Sequence, residues 1–118
     1  MSTLVAQTIS NGTVSTSTAN VINGAKAWVN FDGTTGPATV RASYNVSSVT
    51  RNTTGDYTVN FTNALADANY SAVGSNSWGN NPNTTRILTY ATGSVQVQVI
   101  QIGVALYNAS IVSVAVFR

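Results

Sequence analysis

The sequence predicts an all-β fold, an antiparallel β-sandwich of about eight or nine short strands. Three observations predict it. Val, Thr, Ile and Tyr are abundant, and no window places apolar residues at i, i+3, i+4 and i+7. Apolar and polar residues alternate instead, as they do where successive side chains leave opposite faces of a strand. Gly, Asn and Asp punctuate the alternating runs about every eight to twelve residues, the spacing of strands and turns. At 118 residues the chain is expected to form one core domain, residues 25–118, preceded by an extended arm or linker, residues 1–24. A chain of this size buries roughly two thirds of its unfolded surface, enough for one core without staples.

The arm alternates weakly through Val5 and Ile9, turns at Asn11-Gly12, and resumes at Val14. It is read as one or two short strands or as a flexible leader. Asn23-Gly24 is a turn signal. In Ala25 to Phe31, Ala25, Ala27, Val29 and Phe31 share one face, while Lys26, Trp28 and Asn30 share the other. Trp28 on that polar face is either a platform for a ligand or a ring covered by a loop or a neighbouring subunit. Asp32-Gly33 opens a turn that runs through Gly36-Pro37. Ala38 to Ser43 is a short strand; Tyr44 to Val49 follows, broken near Asn45. Arg51 to Asp56 is a hairpin turn with Gly55 where a positive φ is needed. Asp56 to Thr62 is the clearest strand, with Tyr57, Val59 and Phe61 inward. Asn63 to Asn69 is a connector with room for one helical turn, and Tyr70 to Gly74 restarts a strand. Ser75 to Thr85 is the longest polar stretch and is read as a loop with Trp78 at its middle. Arg86 to Tyr90 returns as a strand, and Ala91 to Gly93 turns into the terminal pair.

That pair, Val95 to Ile102 and Ile111 to Phe117, is the most apolar part of the chain. In the last run Val112, Val114 and Val116 point one way, and Ile111, Ala115 and Phe117 the other. An antiparallel sheet normally buries one face and wets the other. A strand apolar on both needs a second cover, either the second sheet of a sandwich or another copy of the chain. Val112, Val114, Val116 and Phe117 are the candidate residues for a subunit contact.

Composition narrows the chemistry. There is no cysteine, histidine or glutamate; the acids are Asp32, Asp56 and Asp67, and the bases are Lys26, Arg41, Arg51, Arg86 and Arg118. Charged residues make up 7% of the chain, against about 25% in ordinary soluble domains, so Asn, Thr, Ser and Gln must form the surface. A nucleophilic triad lacks its usual base, zinc lacks His and Cys ligands, and glycoside hydrolysis has few carboxylates to pair. The expectation is a non-enzymatic protein with no metal and no cofactor. The scattered bases form no basic stripe for nucleic acid. No run of about 18 apolar residues suggests a membrane span.

Three stretches together carry a resemblance: AKAWVNFDGT (Ala25 to Thr34), VRASYNVSSVTRNTTGDYTVNFTNALADANY (Val40 to Tyr70) and SVAVFR (Ser113 to Arg118). As a set they resemble a domain at the C-terminal end of bacteriophage tail-fibre and related virion appendage proteins. The resemblance implies an all-β, knob-like domain on the virion, a homotrimer, and a part in host attachment. It carries over no catalytic residue. The part of such a fibre that docks to other virion proteins would then be either absent here or reduced to residues 1–24. A trimer would bury the same apolar patch in every copy and protect strand edges, with an interface above about 2,000 Å². The alternative within the same resemblance is a structural decoration or fibre joint that touches no receptor.

A receptor on a host surface, a glycan or a protein, directs attention to the Ser75 to Arg86 stretch. Trp78 can stack on a sugar ring; Asn76, Asn80, Asn81 and Asn83 can meet hydroxyls; Arg86 can hold an acidic group through its fork. The other reading has Trp78 pinning the loop to its own domain or to a neighbour.

Overall fold

Alternation becomes architecture through register. The computed structural model describes residues 5–13, 15–17, 24–77, 82–103 and 105–118. Among them are eleven strands: β1 (Thr8–Ser10), β2 (Ser15–Ser17), β3 (Ala25–Asp32), β4 (Thr39–Tyr44), β5 (Val46–Thr53), β6 (Asp56–Phe61), β7 (Ser71–Ser77), β8 (Asn83–Tyr90), β9 (Ser94–Gln101), β10 (Ala105–Leu106) and β11 (Ile111–Phe117). The short β1 and β2 pair only with each other. The other nine form two sheets, and every pairing is antiparallel. One sheet has the order β4-β3-β11-β7; in the other, β9 pairs with β6 and β10 along one edge and with β8 along the other, and β5 lies outside β6.

The two sheets bury their alternating apolar faces against each other. Phe31, Val29 and Ala27 of β3 sit opposite Val112, Val114 and Val116 of β11. Tyr57 and Val59 of β6 sit opposite Val97 and Val95 of β9. All ten are buried. Phe31 and Tyr57 meet edge to face, with centroids 5.0 Å apart. The Tyr57 hydroxyl would be costly to bury unpaired; it donates to the Gly33 carbonyl at 2.9 Å.

β11 lies in the middle of its sheet, between β3 and β7. This corrects the expected subunit contact. Val112, Val114 and Val116 are 0%, 3% and 1% exposed within a single chain, because the second sheet already covers them. Of the four residues expected at a contact, only Phe117 faces outward and is exposed.

Three other expectations change. Tyr44 to Val49 is not one strand with a flaw. Asn45, at φ 55°, turns the chain out of β4 in one sheet and into β5 in the other. Its side-chain amide donates to the Lys26 and Asn63 carbonyls, both at 3.1 Å, and its Oδ1 accepts from the Asn63 backbone at 2.8 Å. The connector from Asn63 to Asn69 holds no helical turn. The Leu65 N–H bonds the Thr92 carbonyl instead, and the Tyr70 hydroxyl lies 3.0 Å from the Ala91 and Ser94 carbonyls. Finally, β7 runs on to Ser77 and β8 begins at Asn83, so the described residues of the polar stretch are mostly strand. Asn, Ser and Thr there alternate along sheet edges, where water can face one side of the strand. Trp78, Asn80, Asn81, Val14 and Asn23 of the Asn23-Gly24 turn fall outside the described residues.

Candidate functional site

Each sheet turns one face outward, and the two faces differ in chemistry. On the five-stranded sheet the outward residues around Asp56 are polar, and they bond one another. Asp56, 9% exposed, is at the centre. Its Oδ1 accepts from Asn52 Nδ2 at 2.9 Å and Gln96 Nε2 at 3.0 Å; its Oδ2 accepts from Gln96 at 3.0 Å and Gln98 Nε2 at 2.7 Å. Burial acts to raise the Asp56 pKa, but the amides of Asn52, Gln98 and Gln96 outweigh it and hold the carboxyl below its ordinary value. The amide oxygens are used as well. Arg86 donates to Gln98 Oε1, and Thr89 donates to Gln96 Oε1 at 2.9 Å. The row therefore spends its donors and acceptors internally. It makes a rigid, hydrogen-bonded surface around one carboxylate.

Two of the residues expected to bind a ligand are engaged in the same way. Arg86 belongs to the Asp56 network. Asn76 on β7 donates to Thr85 Oγ1 on β8 at 2.7 Å, and the Tyr107 hydroxyl bonds its Oδ1 at 3.4 Å. Asn76 thus stitches the neighbouring edges of the two sheets. Asn83 is half-buried as the first residue of β8, paired in register with Gln101.

The outward face of the four-stranded sheet is the opposite case. Register aligns Tyr44, Trp28, Ala115 and Val73 across β4, β3, β11 and β7. Trp28 is 41% exposed, Tyr44 58% and Val73 57%. The next row comprises Ala42, Asn30, Ser113 and Ser75. Small side chains on β11 stand between larger ones on its neighbours, so the face is not flat. A trough of 390 Å³ runs along β11. Ala115 and Ser113 form its floor, Trp28 and Asn30 one wall, Val73 and Ser75 the other. The Trp28, Ala115 and Val73 row makes the lining mainly apolar, and the adjoining row adds two hydroxyls and an amide. Asn30 is oriented from behind: its Nδ2 donates to Ser113 Oγ at 3.4 Å, and Arg41 Nη1 donates to its Oδ1 at 3.3 Å. Arg41 is itself tied to the Ser110 carbonyl at 2.6 Å and to Asp32 at 3.6 Å. None of the lining residues is charged. Beyond Tyr44 lies a second depression, lined in part by Lys26, Asn45, Thr62 and Asn63.

Alternation alone marks Trp28 as outward. It does not mark Val73, Ser75 or Tyr44, because their place beside Trp28 depends on which strands pair and in what register. Among the described residues no group of three or more Asp side chains comes together to hold a metal. Comparison with known protein families, curated proteins and solved structures found no match to this chain.

Proposed function

We propose that this chain is the attachment domain of a phage virion appendage, a fibre-tip knob that binds a host-surface receptor without chemistry. The resemblance of Ala25 to Thr34 and Val40 to Tyr70 to tail-fibre domains supports the place on the virion. The observation that carries the binding role is the exposed row Tyr44-Trp28-Ala115-Val73 on a rigid sheet. Contiguous exposed apolar surface on a small domain marks a recognition site more often than an accident of packing. Sites on sheets also hold their geometry better than sites on loops.

The homotrimer belongs to this proposal. With the β11 valines committed to the core, its contacts would fall on outward residues such as Phe117. Three sites on one head would act together, so a weak single-site affinity would suffice. The structural alternative, a decoration or joint, predicts that the isolated domain has no effect on adsorption. The test is to add purified protein to host cells before phage challenge. A dose-dependent block of adsorption is expected. Unchanged adsorption at saturating protein would favour the structural role.

A further inference from the structure

We infer that the trough along β11 is a binding site for an uncharged carbohydrate chain, with one sugar ring stacked on Trp28. This rests on the attachment reading and specifies its ligand. Carbohydrates pair an apolar ring face with a fringe of hydroxyls, and the trough pairs the same two surfaces within a few residues. Trp28, Val73 and Ala115 offer the apolar half; Asn30, Ser75 and Ser113 offer hydrogen-bonding groups. Indole is a large, rigid face that loses little freedom when it is covered.

The geometry limits the occupant. The walls stand on β3 and β7, two strand spacings apart, about 10 Å between backbones before side chains are counted. That leaves a slot for one chain of rings lying along β11, open to solvent on top. The absence of charge in the lining favours a neutral ligand over an acidic one, because a carboxylate or phosphate desolvated there would meet no cation in the lining; Lys26, on the same face, lines the separate depression beyond Tyr44. Arg41, the nearest base bonded to the lining, already serves Asn30, Ser110 and Asp32. This site shares none of its residues with the Asn76, Trp78, Asn80, Asn81, Asn83 and Arg86 stretch.

The test titrates the full chain with neutral hexasaccharides (maltohexaose, cellohexaose, laminarihexaose and mannohexaose). Backbone amide shifts by NMR provide the readout. The expected result is saturable shifts from at least one sugar, clustered on β3, β7 and β11 around the trough. Trp28→Ala should weaken that sugar about tenfold or more, the scale of one lost stacking contact. Ala115→Leu fills the floor and keeps the indole. It should abolish binding while leaving the melting temperature unchanged, since Ala115 faces outward. No shifts with any of the four at millimolar concentration would overturn the inference, as would shifts that map elsewhere. A drop in solution mass on Trp28→Ala would also overturn it, by showing that another copy covers the face. Blocked phage adsorption without sugar-induced shifts would keep the attachment function and reject the carbohydrate. Shifts at the trough without any adsorption block would keep the carbohydrate site and reject attachment.

Discussion

Asp56 is the one buried charged residue among the described positions, and its surroundings set how stability should respond to acid. The amides hold its carboxyl below the ordinary value, so folding favours the ionised form. That contribution is complete above the unfolded pKa, about 3.9, and is lost as pH falls through the lower folded value. Asp67, held at about 2 by hydrogen bonds from Arg118 and from the Asn69 backbone, titrates with the same sign. Thermal melts should therefore be flat between about pH 5 and 9, where no side chain of this composition titrates, and fall steeply below pH 4. Asp56→Asn should cost about 1–3 kcal/mol at neutral pH, because one of the two oxygens that accept from the three amides becomes an NH2 donor, and it should flatten the acid limb. An unchanged acid limb would show that the network does not govern the transition. Tyr57 works at the other end. Burial pushes its hydroxyl up to about 12, so folding favours the protonated form. Stability is intact below about pH 10 and falls between 10 and 12. Tyr57→Phe should cost about 1 kcal/mol at neutral pH and remove that alkaline loss. Asp56 was legible in the sequence as an outward residue of a strand. Its three amide partners were not, because Gln96 and Gln98 reach it only through the pairing of β6 with β9.

At the scale of elements, β11 is the clearest test of which face does what. Val114→Ala removes two methyl groups from the core and should cost about 1–3 kcal/mol in a denaturant melt. Phe117→Ser, on the outward face, should stay within about 0.5 kcal/mol for an isolated chain. Equal costs at the two positions would mean that the outward face is covered too. The β5–β6 turn gives a second test. Gly55 has φ 68°, and a Cβ there would lie 2.6 Å from the Tyr107 backbone nitrogen. Gly55→Ala should then cost at least about 2 kcal/mol, since backbone cannot move aside as a flexible side chain can. The need for a left-handed residue at Gly55 is local and can be read from the turn. The close approach of Tyr107 cannot, because it sits on a distant segment. The same distinction explains the contracted loop. A run of Ser, Asn and Thr signals a loop by composition, but β11 and β9 each offer an edge, and β7 and β8 occupy them.

For the whole molecule the open quantity is the number of copies. A chain with 7% charged residues and an exposed aromatic row should be sensitive to concentration unless the row is occupied or guarded. Light scattering at two concentrations should give a mass near three chains if the appendage proposal holds, and Phe117→Asp should lower it. A monomer at both concentrations would remove avidity from the mechanism and leave one site per chain. What the sequence determined unaided is the strand period, the positions of most turns, the inward residues of β3 and β6, and the poverty of acid–base and metal-binding groups. These follow from one residue and its near neighbours. Only the tertiary structure decided that Val112, Val114 and Val116 are covered by the second sheet, that Asn45 is a corner between sheets, and that Trp28 stands beside Val73 across Ala115. Strand alternation says that two faces differ, but which face is dry depends on partners far away in the chain, and those are chosen by the packing of all the strands together.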